Sequence, residues 1–225
     1  MLLKRISIVL AGALAVAHAV AAGAGGGALE GRLRQAAADG NVPEIRILLQ
    51  QGAAVDARDA QGRTPLLIAT HGNRVDAARA LIEAGADVNA KDAIQDSPYL
   101  YAGARDHDEI LAMTLAHGAD LASTNRYGGT ALIPAAERGH VRTVRTLIAA
   151  GVDVDHVNNL GWTALLEAII LGDGGARHVQ IVQLLVEARA DVDLADGQGA
   201  TPLAHARRAG YADIVRILEH AGARE

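Results

Sequence analysis

Polar and apolar positions recur along this chain in two ladders that share one period. The first is centred on glycine: QQGAAVDARD, EAGADVNAKD, AHGADLASTN and AAGVDVDHVN place Gly52, Gly85, Gly118 and Gly151 at steps of 33 residues. The second comprises TPLLIA, SPYLYA, TALIPA, TALLEA and TPLAHA. It begins at Thr64, Ser97, Thr130, Thr163 and Thr201, with steps of 33, 33, 33 and 38. A Thr or Ser followed by Pro or Ala predicts a helix start, because the hydroxyl caps free N–H groups and Pro suits the first turn. Gly139, Gly172 and Gly210 end the short helix that follows. Apolar pairs such as Leu48-Leu49, Leu81-Ile82, Leu147-Ile148 and Leu184-Leu185 then mark the buried stripe of a second helix. Gly52, Gly85, Gly118, Gly151 and Gly222 close that helix in the left-handed conformation. The Gly-Ala-Asp-Val stretch and the next Asp-x-x-Gly predict a hairpin-like turn. No alternating run long enough for a strand occurs. The prediction is an all-α solenoid of about six helix-turn-helix units.

These residues resemble the ankyrin repeat family, with the pattern close in GRTPLLIA, GADVNAKD and GWTALLEA and the likeness covering about residues 29 to 224. The resemblance implies a right-handed stack whose hairpin tips and first helices form a concave surface for a protein partner, without cofactor or catalysis. The family's His after Thr-Pro-Leu, which ties neighbouring loops, is replaced by Leu67, Leu100, Ile133, Leu166 and Ala204. Apolar packing is expected to take over there. The repeats fall at about 29–58, 59–91, 92–124, 125–157, 158–195 and 196–225. In the last, Arg207 stands in the core column of Ala37, Thr70, Gly103, Ala136 and Ile169, and Glu219 in that of Leu49, Ile82, Leu115, Ile148 and Val186. A charge buried there without a partner would cost several kcal/mol, so this unit is expected to be the outer cap.

The first residues differ from the rest. Lys4 and Arg5 precede an apolar run from Ile6 to Ala17, and overlapping small-residue triplets follow at Ala15-Val16-Ala17, Ala17-His18-Ala19 and Ala19-Val20-Ala21. That layout predicts a secretory signal peptide over 1–22. An uncleaved anchor is the alternative, since a span needs about 20 apolar residues. Residues 23–28 read as a Gly-rich flexible tether to a domain over 29–225. Removing Lys4 and Arg5 leaves 19 basic residues against 26 acidic ones, a formal charge of −7. An acidic domain is a poor nucleic-acid binder. The expected location is the bacterial periplasm or beyond, as a monomer with no membrane insertion after cleavage. Half of the chain is apolar, yet it holds no Phe, one Trp and four Tyr. Ala, Leu, Val and Ile must therefore build the core, which suits close helix-on-helix layers.

Helical spacing after each Thr-Pro-Leu-type start places Ile68 and His71, Tyr101 and Arg105, Pro134, Glu137 and Arg138, Glu167, Ile170 and Leu171, and His205 and Arg208 on the inner face. The turn tips add Arg63, Ile94, Asp96, Arg126, Tyr127, Leu160 and Trp162. Tyr99 shares the core column of Leu66, Leu132 and Leu165 and reads as structural. Tyr101, Arg105, Arg126, Tyr127, Glu137, Arg138, Trp162 and Glu167 are the candidate partner-binding residues, because Tyr, Trp and Arg dominate binding hot spots. Trp162 and Tyr127 have a second reading, as rings that cover the hairpin–helix junction. The 38-residue step marks a five-residue insertion in LGDGGARHVQ. It is expected to be a flexible loop, either a recognition finger beside the concave face or a tolerated surface extension.

Chemistry finds little material. Beyond the signal the chain has only Ser97 and Ser123 as serines and Lys91 as its lysine, and it holds no Cys anywhere, so covalent catalysis has almost no material to work with. No His pair has metal-ligand spacing. Asp191, Asp193 and Asp196 superficially suggest a calcium loop, but Asp153 and Asp155 recur in the matching hairpin and the liganding Gly and Glu spacing is absent. Glu137 and Glu167 form the most enzyme-like pair. In an open groove they are expected to stay solvated and to pair with Arg138 and Arg105 or with a partner's charges. The expected function is thus a non-catalytic protein-interaction module with no cofactor or metal, as a scaffold or as an accessory or immunity protein for an exported enzyme. A small-ligand or cell-wall-fragment binder, with Trp162 and Tyr127 as a stacking floor, is the alternative.

Overall fold

The computed structural model describes residues 27–224, so the expected signal peptide and residues 23–26 of the expected tether lie outside the described residues. Gly27 and Ala28, expected in the tether, already belong to the first helix. The described residues form twelve helices and no strand. They are α1 (27–39), α2 (Val42–Gln50), α3 (Pro65–His71), α4 (Val75–Glu83), α5 (Pro98–Ala104) and α6 (Asp108–Ala116). Then follow α7 (Leu132–Glu137), α8 (Val141–Ala150), α9 (Ala164–Ile170), α10 (Ala176–Glu187), α11 (Pro202–Ala209) and α12 (Ala212–His220). Odd-numbered helices pack on one another as an inner layer from α3 to α11, and even-numbered ones from α2 to α12 as an outer layer. Each pair with its preceding hairpin is one unit. No helix among the described residues is long and apolar enough to cross a membrane.

The local logic follows the sequence closely. Thr64, Ser97, Thr163 and Thr201 each accept the N–H of the residue three places on, at 3.2 Å. The fourth unit departs from this. Ala131 enters the helical region early, and the Ile133 N–H turns to the Thr130 carbonyl at 3.3 Å, which leaves the buried Thr130 hydroxyl out of the cap. Gly52, Gly85, Gly118, Gly151 and Gly222 follow or cap the outer helices at φ between 82° and 91°. In the fifth unit Arg189 fills that position at φ 70°, a conformation that a side chain disfavours. Gly172 does not take positive φ. It is needed because an added Cβ would sit 2.1 Å from the Ala168 carbonyl oxygen.

The hairpins are organised by a carboxylate or amide in each unit from the second to the sixth. Asp59, Asp92, Asn125, Asn158 and Asp196 each accept backbone N–H groups two and four residues on, at 2.8–3.2 Å. Asp56, Asn89, Asp155 and Asp193 then reach the next unit's backbone at Asp87, Asp120, Asp191 and Arg224. These bonds occupy Asp193 and Asp196, and Asp191 accepts from the Asp193 N–H at 2.9 Å, so the calcium-like run is a structural turn. Where the family's His is missing, Leu67, Leu100, Ile133 and Leu166 are buried, as expected.

A third ladder joins the opposite ends of the units. Arg74 donates to the Ala38 carbonyl at 3.0 Å, and His178 bonds that of Glu137 at 2.9 Å. His107 and His140 face the carbonyls of Thr70 and Ala104 in the same way. Arg74 and His178 thereby supply a donor to carbonyls at the ends of the preceding inner helices, which run short of intrahelical donors.

Tyr99 is fully buried, as its column requires. At the far end Arg207 and Glu219 are both about half exposed and pair at 2.7 Å, which agrees with an outer cap.

The insertion is not a free finger. Three of its residues lengthen α10 to 12 residues against nine in α4 and α6. The rest is pinned along the row of helix–helix turns. Buried His178 bonds Asp173 at 2.7 Å and the Glu137 carbonyl, and Tyr211 donates its hydroxyl to the Gly172 carbonyl at 3.0 Å.

Candidate functional site

Inner helices α5, α7 and α9 and the hairpins before them enclose a groove of about 260 Å³. Seven of the eight candidate residues line it: Tyr101, Arg105, Arg126, Tyr127, Glu137, Arg138 and Glu167. Helical spacing brings Tyr101, Pro134 and Glu167 into one column. The hairpin tips place Tyr127 and Leu160 at the lip. Trp162 is not part of the wall. It is partly buried one residue before the capping Thr163, and its N–H is held by Asn158 Oδ1 at 3.1 Å.

Arginines and aromatics meet here in stacked pairs. The Arg105 guanidinium lies 5.4 Å from the Tyr101 ring centre, and that of Arg126 lies 4.7 Å from the Tyr127 ring centre, within cation–π range. Behind Tyr101 stand His71, with ring centres 4.1 Å apart, and His107 at 5.9 Å. Burial, first of all, holds both imidazoles below the usual histidine range, so this stack is neutral at physiological pH. Asp96 is pushed up by burial and then by Asp92.

The acidic pair differs from expectation. Glu137 stays partly exposed, but Glu167 is only 5 % exposed. Its Oε1 accepts the Asn158 side-chain amide at 2.7 Å. Burial and then the Glu137 charge push the Glu167 carboxyl up to about 7, against the lowering pull of Asn158 and Arg138. Neither arginine forms the expected ion pair. Arg138 donates to the Ala104 carbonyl, and Arg105 covers Tyr101. Sequence spacing found the face but not the depth of Glu167. Asn158 was missed as a site residue, although its place in the column of Asp59, Asp92 and Asn125 marked it as a hairpin organiser.

Exposed apolar side chains form a line beside the groove. Ile94, Tyr127 and Leu160 occupy equivalent tips 33 residues apart and are 49 %, 56 % and 58 % exposed, and Leu171 is 50 % exposed. No group of three or more His, Asp or Glu side chains among the described residues has the geometry to hold a metal.

Comparison with known proteins agrees with this architecture. The sequence model described as ankyrin repeats (3 copies) matches residues 32–92, 99–196 and 151–224. The crystal structure of an ankyrin repeat domain from Acinetobacter baumannii AYE is 64 % identical. It covers 85 % of this chain and 98 % of its own, with a TM-score of 0.84. The ankyrin repeat protein EF0377 is 45 % identical, covering 84 % of this chain and 97 % of its own, with a TM-score of 0.81. No curated protein matches the chain. Ankyrin repeats generally mediate protein–protein interaction. The chain belongs to the ankyrin repeat family.

Proposed function

We propose that this chain is a non-catalytic module that binds an exported protein through the groove of its third to fifth units, as an accessory or immunity partner outside the cytoplasm. The observation that carries the reading is the juxtaposition of two solvent-facing Tyr–Arg stacks with the apolar line of Ile94, Tyr127 and Leu160. Tyr and Arg anchors inside an apolar margin are the composition of a hot spot, and a contiguous exposed apolar patch marks an interaction surface. Export rests on the charged start, apolar run and small-residue triplets of the first residues. The small-ligand alternative loses support, because the stacking floor assigned to it needs Trp162 in the groove wall.

A photo-crosslinking residue at Tyr127, introduced in the producing cell, tests this directly. It should capture a defined extracytoplasmic protein that the same residue at exposed Ile47 on α2 does not. Alanine at Tyr101, Tyr127 or Arg138 should then weaken the purified pair by about 2 kcal/mol. Equal capture from both positions, or none from 127, overturns the reading.

A further inference from the structure

Glu167 is the most deeply placed charge-bearing group of the groove, and one of its two oxygens is uncommitted. Oε1 is held by Asn158. Oε2 has no hydrogen-bond partner among the described residues and is not sealed off, so it opens onto the groove. Glu137 projects from the neighbouring helix α7 and adds a second negative charge close by. Arg138 lowers the Glu167 carboxyl in part, but no arginine forms an ion pair with either carboxylate among the described residues. Arg138 is bonded to the Ala104 carbonyl, and Arg105 and Arg126 lie over Tyr101 and Tyr127. On the other helices packed against α9, His205 is bound to Asp196 and His178 to Asp173.

From this geometry we infer that the groove is a specificity pocket for one basic side chain, Lys or Arg, of the partner segment, with Glu167 as its deep acceptor and Glu137 at the rim. The inference rests on the protein-binding reading above and deepens it. A cation donates to the free Oε2 without disturbing the Asn158 bond, and charge-assisted bonds of this kind are the strong ones. The volume of about 260 Å³ is below the roughly 300–1,000 Å³ of small-molecule sites and suits one long side chain. The exposed line of Ile94, Tyr127 and Leu160 runs from the lip of the pocket to Ile94 beyond it, where only a longer chain reaches. The partner segment therefore carries a basic residue flanked by apolar ones. Because the Glu167 carboxyl titrates near 7, capture of the cation expels a proton at neutral pH.

Random linear peptides displayed on phage should be selected on the full chain, with Glu167→Gln for counter-selection. Enriched peptides should share an Arg or Lys beside apolar residues, and replacing it by citrulline or norleucine should weaken binding at least about tenfold. Affinity should tighten about tenfold from pH 6 to pH 8 as Glu167 ionises, and Glu167→Gln should abolish that rise. Gln keeps an acceptor for Asn158, so this variant stays folded. Glu137→Gln should lower affinity several-fold with the deep carboxyl intact. Groove-bound peptides without a basic residue, or with equal affinity for Glu167→Gln, overturn the inference and leave the protein-binding reading standing. Binding that maps away from Tyr101, Tyr127 and Glu167 by amide shifts, or no enrichment at all, overturns both.

Discussion

The Asn158 side chain joins two functions across nine residues. Its Oδ1 accepts the N–H groups of Leu160 and Trp162, which shapes the hairpin, while its Nδ2 donates to Glu167 Oε1 at 2.7 Å. A side chain that organises the backbone in the second to sixth units thus also positions the deepest carboxyl of the groove. In the second, third and sixth units a carboxylate (Asp59, Asp92 and Asp196) stands in this column and has no donor to offer.

Glu167 should make the free protein sensitive to pH. Its folded value of about 7 lies above the ordinary 4.5, so the unfolded chain gives up this proton first. The resulting stability is complete below about pH 4.5 and is lost as pH rises through 7. Glu167→Gln should therefore stabilise the protein by about 2 kcal/mol at pH 8 and change little at pH 4. Urea unfolding at the two pH values measures this, and an equal effect at both would contradict it.

Arg189→Gly should stabilise the fold by about 1 kcal/mol. Five units place Gly after the outer helix at φ of 82° to 91°, and the fifth places Arg there at φ 70°. A thermal midpoint unchanged or lowered would show that the Arg189 side chain contributes more than its backbone loses.

Gly174 and Gly199 separate two effects of glycine. Both have positive φ, at 66° and 82°, but a Cβ on Gly174 would lie 2.3 Å from the Tyr211 ring, and one on Gly199 would meet nothing within 4 Å. Alanine should cost about 1 kcal/mol at 199 from the backbone alone, and at least about 2 kcal/mol more at 174, where the ring must move. Equal losses in denaturant titration would mean that Tyr211 does not fix the insertion.

The Arg207–Glu219 pair should add little stability, since both side chains are about half exposed and such pairs contribute about 0–1 kcal/mol. Its effect lies in what it prevents. Arg207→Ile with Glu219→Val restores the residue types of the two core columns and should let copies stack end to end. Concentration-dependent mass in light scattering would register the association, and a constant monomer mass would refute it.

Much of this was legible in the sequence because a repeat states each rule several times. The period, the Thr and Ser caps, the closing glycines and the inner-face column all follow from local chemistry within one unit. What was not legible depends on contacts between units. The depth of Glu167 depends on how α9 packs against its neighbouring inner helices, α7 and α11. The insertion reads as flexible from its three glycines, yet it is fixed by Tyr211, 39 residues beyond Gly172, and by the Glu137 carbonyl, 41 residues before His178. Of the two expected roles for Arg105 and Arg138, pairing with Glu137 and Glu167 does not form within the described residues, where a backbone carbonyl and an aromatic ring take the guanidinium groups instead.

Trp162, set aside from the groove wall, is the only indole in the chain. Its backbone is held by the same Asn158 that holds Glu167, so any event that shifts this amide also moves the fluorophore's surroundings. The protein therefore carries its own optical gauge for this amide: an occupant that displaces Asn158 would register in the emission of the unlabelled chain, and one that meets only Glu167 Oε2 would leave it unchanged.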